Sequence, residues 1–415
     1  MKTAAIITIG DEILIGQVTN TNSAFIGKKL SEIGIEVKRT VVVGDDYGEI
    51  MAAFKEHYGN FDAIMVTGGL GPTHDDITKK VVADFFDDKL VMNNEVLANV
   101  RDRLLKRNVP MRKVNEEQAL VPSTCEVLMN HWGTAPGMLF ERDGKFFAVM
   151  PGVPHEMENL MNEYVVPKLS SRAIGQVIRH KVLKTTGIAE SSLFELLGNV
   201  DDILKGKATL AFLPSQFGVR LRITVKAKTA AEVDSIIQEV ESRIREKANK
   251  FIYAEGEIDI EEVVGNLLKE KGLTIAVAES CTGGYISHRI TNISGSSAYF
   301  NRGIVSYSND AKIKILGVPA ELISSKGAVS EEVARAMADG VRRISGTDIG
   351  ISVTGIAGPT GGTEEKPVGL VYVGLADSSG IMVARHMFPD GRLVFKDRVS
   401  QTALEMVRKR ILGML

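Results

Sequence analysis

The segment Ala4–Ile9 is an apolar run broken only by Thr8, and a strand that is apolar on both faces must be covered on both faces. That requirement points away from a one-sided sheet and towards helices above and below. The residues that follow supply them. Thr21–Ile33 carries apolar residues at helical spacing and stops at Gly34, a residue suited to a helix C-terminus. Ile35–Val43 is strand-like, Tyr47–His57 helical, and Asp62–Thr67 a strand again. This βαβαβ order predicts a three-layer α/β domain around a parallel sheet. Asp76–Phe86, Asn93–Lys106 and Pro154–Leu169 read as further helices, and Gly137–Val149 as a hairpin turning at Asp143-Gly144.

A chain of 415 residues is too long for one ordinary domain, and its composition divides it into three. The first domain spans 1–171. Residues 172–254 read as a small α+β connector with extended segments at Val177–Thr185 and Val219–Lys228 and helices at Ala189–Leu197 and Ala230–Lys247. Its Arg220, Arg222, Lys226 and Lys228 alternate as one solvated strand face would, with RNA binding as the sharper alternative. The third domain, 255–415, again interleaves strands and helices. Net charge is −2, so no global field draws the chain to nucleic acid or an anionic membrane. No apolar run reaches spanning length and no signal-peptide pattern opens the chain. Two cysteines, Cys125 and Cys281, give neither a disulfide framework nor zinc-ligand spacing. A cytoplasmic location with reduced thiols is expected.

Two clusters carry chemistry. In the first domain, Thr67-Gly68-Gly69-Leu70-Gly71-Pro72-Thr73-His74-Asp75-Asp76 lies between a strand and a helix, at the carboxyl edge where parallel sheets bind ligands. Glycines admit an anion close to the backbone, and the N–H groups of the next helix start can face a phosphate. It is neither a Walker sequence nor a dinucleotide fingerprint; the bland reading is a turn in which Thr73, Asp75 or Asp76 caps the helix. Gly10-Asp11-Glu12 follows the first strand and should share that edge, so Asp11, Glu12, Asp75 and Asp76 are candidate ligands for a divalent metal ion beside phosphates, or caps. His74 and His155 are single histidines, more in keeping with structural roles.

In the third domain, the strand Leu273–Val277 runs into Ala278-Glu279-Ser280-Cys281-Thr282-Gly283-Gly284. A strand that delivers hydroxyls into a glycine turn before a helix presents a nucleophile and backbone donors together. Candidate nucleophiles are Ser280, Cys281, Ser296 and Ser297. The local histidines, His288 in a helix and His386 in a strand, suggest no Ser-His-Asp set. Lys312 can serve as base if it is neutral, which requires its pKa to fall by ~3 units, or roughly 4 kcal/mol, through burial or a neighbouring cation.

These motifs resemble those of the CinA family of competence/damage-inducible proteins, over essentially the whole chain. Residues 67–76 with 10–12 resemble the molybdopterin-binding MoaB/MogA-like domain, and the middle resembles the family's KH-like domain. AESCTGG at 278–284, GSSAYF at 295–300, YSNDAK at 307–312 and TGIAGPTGG at 354–362 resemble nicotinamide mononucleotide (NMN) deamidases. The resemblance implies hydrolysis of NMN to nicotinic acid mononucleotide and ammonia, with Ser297 as nucleophile, Lys312 as base and Tyr307 close by. Ser280, Thr282, Gly283, Thr354 and Gly355 would position the substrate or the nucleophile. An arginine would hold its phosphate: Arg392, in the sequence Phe388-Pro389-Asp390-Gly391-Arg392 where Gly-Asp-Arg order is expected, or Arg398. For the first domain it implies ADP-ribose pyrophosphatase activity that needs a divalent metal, with Thr67, Gly68, Gly69, Gly71 and Thr73 binding the substrate. It also implies a homodimer and no cofactor for the deamidase. A molybdopterin-binding or adenylating protein, or a non-catalytic nucleotide sensor, stands as the alternative.

Overall fold

Strand β1 (Thr3–Ile9) is buried from Ala4 onward, as its sequence requires. It lies parallel to β2 (Glu36–Val43) on one side and β3 (Ala63–Thr67) on the other, with Ile6 opposite Thr40 and Met65. Alternate residues feed two separate cores, as the twofold period of a strand demands. Ile6 packs with Ile26 and Leu30 of the helix Thr21–Glu32, while Ile7 and Ile9 pack with Ile50 and Phe54 of the helix Tyr47–Asn60. The three-layer arrangement is therefore present. These are features of a computed structural model that describes residues 1–73, 76–172 and 177–415.

The strands β4 (Leu90–Met92) and β5 (Leu120–Pro122) form a separate two-stranded ribbon. The main sheet continues through β6 (Glu126–Leu128), β7 (Gly137–Arg142) and β8 (Lys145–Met150), in the order β2-β1-β3-β8-β7-β6. β8 is parallel to β3, and β7 and β6 run antiparallel. The β7–β8 turn has Asp143 at φ +54° and Gly144 at φ +74°, the double positive that a two-residue hairpin favours. Two helix predictions shift. The helix expected from Asp76 begins at Thr78, and the one expected over 154–169 breaks into Pro154–Leu160, a π turn Met161–Val165, and Val166–Ser170. Pro167 has no N–H for the regular ladder, which accounts for the break.

By compactness the chain divides into Met1–His180 with Val225–Ser235, and Lys181–Thr224 with Ile236–Leu415. A four-stranded sheet in the order β10-β11-β9-β12 comprises β9 (Val177–Thr185), β10 (Ala208–Ser215), β11 (Gly218–Ala227) and β12 (Ile252–Glu255). Along β11, Val219, Leu221, Ile223 and Val225 are buried while Arg220, Arg222 and Lys226 are exposed, the solvated face expected of that alternation. The C-terminal sheet runs β14-β13-β15-β16-β17, from β13 (Ile275–Glu279), β14 (Phe300–Val305), β15 (Ile349–Gly355), β16 (Leu370–Asp377) and β17 (Gly380–Met387). β13 is an inner strand parallel to both neighbours, β14 and β15, whereas β15, β16 and β17 are successively antiparallel. Among the described residues no helix is long and apolar enough to cross a membrane.

Gly68, at the end of β3, has φ +115°, and a Cβ there would stand 2.0 Å from the Ile9 carbonyl oxygen. Gly68→Ala is expected to destabilise by more than the ~1–2 kcal/mol of a left-handed backbone alone. Urea unfolding checks this, and an unchanged midpoint would refute the close approach of β3 to β1.

Candidate active site

At the carboxyl edge of β1 and β3 lies a cleft of about 450 Å³. Thr67, Gly68, Gly69 and Gly71 line it, as the sequence predicts. A Cβ on Gly69 would fall 2.1 Å from Thr78 Oγ1 at the start of the next helix, and one on Gly71 would fall 2.4 Å from Asp76 Oδ2. The loop is thus folded tightly against the helix entrance. Thr67 is fully buried and donates to the Pro151 carbonyl at 2.8 Å, while Asn22 Nδ2 donates to Thr67 Oγ1 at 3.0 Å. Thr67 therefore shapes the floor.

The three expected metal ligands among the described residues, Asp11, Glu12 and Asp76, do not form one group. Asp76 accepts from the Thr73 backbone at 3.0 Å and from the Thr73 hydroxyl, which closes the loop on itself; neither residue caps the next helix, whose N-cap Ile77 has no side-chain cap. Asp11 accepts from the Asp45 backbone at 3.3 Å and its own N–H donates to Asp45 Oδ2 at 3.1 Å, which turns it away from the loop. Glu12 and Asp76 line the cleft, and Asp75, with His74, lies outside the described residues. Among the described residues no three His, Cys, Asp or Glu side chains form a metal-binding group. The cleft also holds Asn22, Asp45, Gln118 and Glu156, which sequence reasoning missed because they come from distant segments. Near it, burial lowers Lys79 to about 8, opposed by the charge of Asp76, and its amine donates to the Gln118 carbonyl at 2.9 Å. His155 is exposed and near Asn159.

The second cluster is organised by Glu279, the last residue of β13 and fully buried. Its carboxylate accepts five hydrogen bonds: from the Thr282 hydroxyl at 2.7 Å, the N–H groups of Gly284 and Ile286 at 3.0 Å, and the N–H and hydroxyl of Ser287 at 2.8 and 2.7 Å. These donors are the glycine turn and the first residues of the helix Tyr285–Thr291, so a single carboxylate holds a helix start. Gly283 and Gly284 supply the turn with φ +62° and +95°. Thr282, expected to help place the substrate, is fully buried with its hydroxyl committed to Glu279.

Ser280 follows, and its N–H donates to the Val353 carbonyl at 3.1 Å. Facing it is Lys312, 1% exposed, on the helix Asn309–Leu316 that Ser308 caps. As an ammonium, Lys312 donates to Ser280 Oγ at 3.0 Å and to the carbonyls of Ser306 at 2.7 Å and Tyr307 at 3.4 Å. Burial lowers its pKa, with the nearby Cys281 acting weakly the other way. Once neutral it keeps two N–H groups for the carbonyls and turns a lone pair to the Ser280 hydroxyl. Burial also pushes the Cys281 thiol up to about 12, so it is no nucleophile.

The remaining residues divide. Ser297 sits exposed in the turn Ser296–Ala298 and makes no hydrogen bond to Lys312 among the described residues, so the hydroxyl held by the lysine is that of Ser280. Arg392 donates to the Tyr307 hydroxyl at 3.0 Å and to the Gly358 carbonyl at 3.1 Å, which joins two predicted residues at an exposed rim. Arg398 instead lies 3.2 Å from Asp390 and over the Phe388 ring. Thr354 is fully buried and donates to the Ala328 carbonyl at 2.7 Å, and Gly355 must be small because a Cβ would reach 2.7 Å from the Leu370 carbonyl. The role of Glu279 was missed, although its place inside a strand-to-glycine motif was the available signal.

The comparisons agree along the chain. Residues 5–171 match the model described as a probable molybdopterin binding domain, 180–254 the damage-inducible protein CinA KH domain, and 257–411 the CinA C-terminal domain. A CinA-like protein of Chloroherpeton thalassium is 46% identical over 98% of both chains. A putative competence-damage inducible protein of Caldicellulosiruptor bescii is 43% identical over 99% of both. The crystal structure of CinA, with unknown function, from Thermoplasma acidophilum is 37% identical and covers 41% of this chain and 98% of its own, at a TM-score of 0.38. With the Chloroherpeton and Caldicellulosiruptor relatives covering 98% or more of it, the chain belongs to the CinA family.

Proposed function

We propose that the C-terminal domain hydrolyses a carboxamide, that of nicotinamide mononucleotide in the reading the family resemblance implies, with Lys312 as general base. The observation that carries this reading is the buried amine holding a serine hydroxyl at 3.0 Å. Desolvation favours the neutral amine, and a neutral amine beside a hydroxyl is the pairing an amidase needs. Ser297 is the nucleophile on the resemblance. Ser280, the hydroxyl that the lysine holds, positions the nucleophile on the same resemblance. Arg392, beside Tyr307, is the phosphate ligand. A second reading, favoured by the direct contact, makes Ser280 the attacking residue.

In the N-terminal cleft we propose ADP-ribose cleavage with a divalent metal. Glu12 and Asp76 supply hard oxygen donors, which fits an open site completed by phosphate oxygens and water rather than a closed cage. When bound, the metal would neutralise charge on the pyrophosphate. The glycine loop lets the phosphates approach the backbone, while the Thr78 N–H at the next helix start is committed to the Gly69 carbonyl at 3.2 Å.

Ammonia release from NMN tests the first reading. Ser297→Ala should lower kcat by about 10⁴-fold or more, Lys312→Met by about 10²–10⁴, and Ser280→Ala by about 10². If Ser280→Ala abolishes turnover while Ser297→Ala spares it, the second reading replaces the first. No ammonia from folded wild-type protein would remove both.

Lys312 also sets a pH dependence. Its folded pKa lies below its ordinary 10.5, so kcat/KM should rise with pH through the lowered value and level off before 10.5. Stability should begin to rise as kcat/KM levels off, between the folded and unfolded pKa values, because there the unfolded chain binds the extra proton. Lys312→Met should flatten this rise, and an unchanged stability profile in that variant would refute the assignment.

For the N-terminal cleft, chelation or Glu12→Gln should abolish formation of AMP from ADP-ribose and leave ammonia release intact. Metal-independent AMP formation would exclude the metal, and adenylyl transfer to a pterin would favour the molybdopterin reading instead.

A further inference from the structure

A cavity of about 710 Å³ in the C-terminal compact unit has neither Ser280 nor Lys312 in its lining. Its size is that of a small-molecule site, and its walls are mainly apolar, with Phe217, Phe388 and Met382 among them. His386 stacks on Phe388 with centroids 5.7 Å apart and planes 8° from parallel, and the Arg398 guanidinium lies over the Phe388 ring, so this wall combines aromatic rings with a cation. Burial, aided by the charge of Lys409, holds His386 below its ordinary pKa, which keeps the imidazole ring neutral.

Polar groups reach this cavity from one stripe of the helix Arg392–Ile411: Arg398, Gln401, Thr402, Glu405 and Lys409, at the spacing of a single helical face. Gln401 is 3% exposed. Its Oε1 accepts from Arg289 at 3.0 Å, while its Nε2 lies beside the Tyr253 hydroxyl without a hydrogen bond of good geometry. A buried amide donor so placed is under-satisfied, and an acceptor on a ligand would relieve it. Glu405 does not fill that need, because Arg408 grips its carboxylate at 2.6 and 2.8 Å and Lys409 approaches at 3.4 Å. Arg398 Nε stands 3.2 Å from Asp390 but off the hydrogen-bond direction, leaving it a second donor without a hydrogen bond.

We propose that this cavity binds a flat aromatic acid, with its ring against Phe388 and Phe217 and its anionic group on Arg398, Lys409 and the Gln401 amide. The cavity shares a helix with Arg392, whose guanidinium contacts Tyr307, so the bound acid would rest on the element that carries the candidate phosphate ligand. It is distinct from the proposed amidase site and does not depend on that reading.

Anilinonaphthalene sulfonate, an aromatic acid whose fluorescence rises on binding, is the probe for the full-length protein. Saturable binding of one equivalent per chain is expected. Arg398→Met and Lys409→Met should each weaken it by roughly tenfold or more, as loss of a charged donor would. Thr402→Trp, which fills the cavity without removing a charge, should abolish binding with the circular dichroism spectrum unchanged. Lys312→Met should leave binding intact. Undiminished binding in the cavity variants, or binding lost in Lys312→Met alone, would overturn the proposal.

Discussion

The C-terminal site depends on one buried carboxylate. Glu279 ends an inner strand of its sheet with no access to solvent, a position that would be costly for an ion whose oxygens were unsatisfied. Five donors remove that cost, and all of them belong to the turn and helix that come next. The carboxylate therefore joins strand to helix, which fixes the path of the chain between them. Ser280 lies on that path. Its place opposite Lys312 follows from the anchoring of its neighbour, and the glycines are there because Gly284 must turn its N–H back towards the strand end.

Much of this architecture was legible in the sequence. The apolar Ala4–Ile9 required cover on two faces, and the structure supplies two cores fed by alternate residues. The alternation along β11 separated buried from solvated residues correctly. Other elements escaped notice. Ala208–Ser215 is only partly buried and contains a proline, so it carries no clean twofold period. Asn309–Leu316, the helix that buries Lys312, is two turns long, too short for its periodicity to stand out beside the polar residues that begin it.

The site was legible in composition but not in partnership. Sequence spacing could not say which hydroxyl meets Lys312, because Ser280 and Ser297 both lie in hydroxyl-rich turns before Lys312. Three-dimensional packing gives the contact to Ser280 and leaves Ser297 at the surface. The N-terminal carboxylates show the same limit. Asp11 and Glu12 are adjacent in sequence, yet one turns to the Asp45 backbone and the other towards the cleft. Adjacent residues at a helix start diverge by about 100° around the axis, so a pair of acids in sequence is seldom a pair in space.

Cys281 sits between Ser280 and Thr282, close enough to Lys312 to feel its charge, yet burial holds its sulfur as a thiol far above neutral pH. Peroxides and alkylating reagents react with the thiolate, and they need access to it. A cysteine in this setting places a polarisable, well-packed atom next to the hydroxyl that Lys312 holds without exposing the domain to oxidation there. The motif gains the packing qualities of sulfur and is spared its redox chemistry.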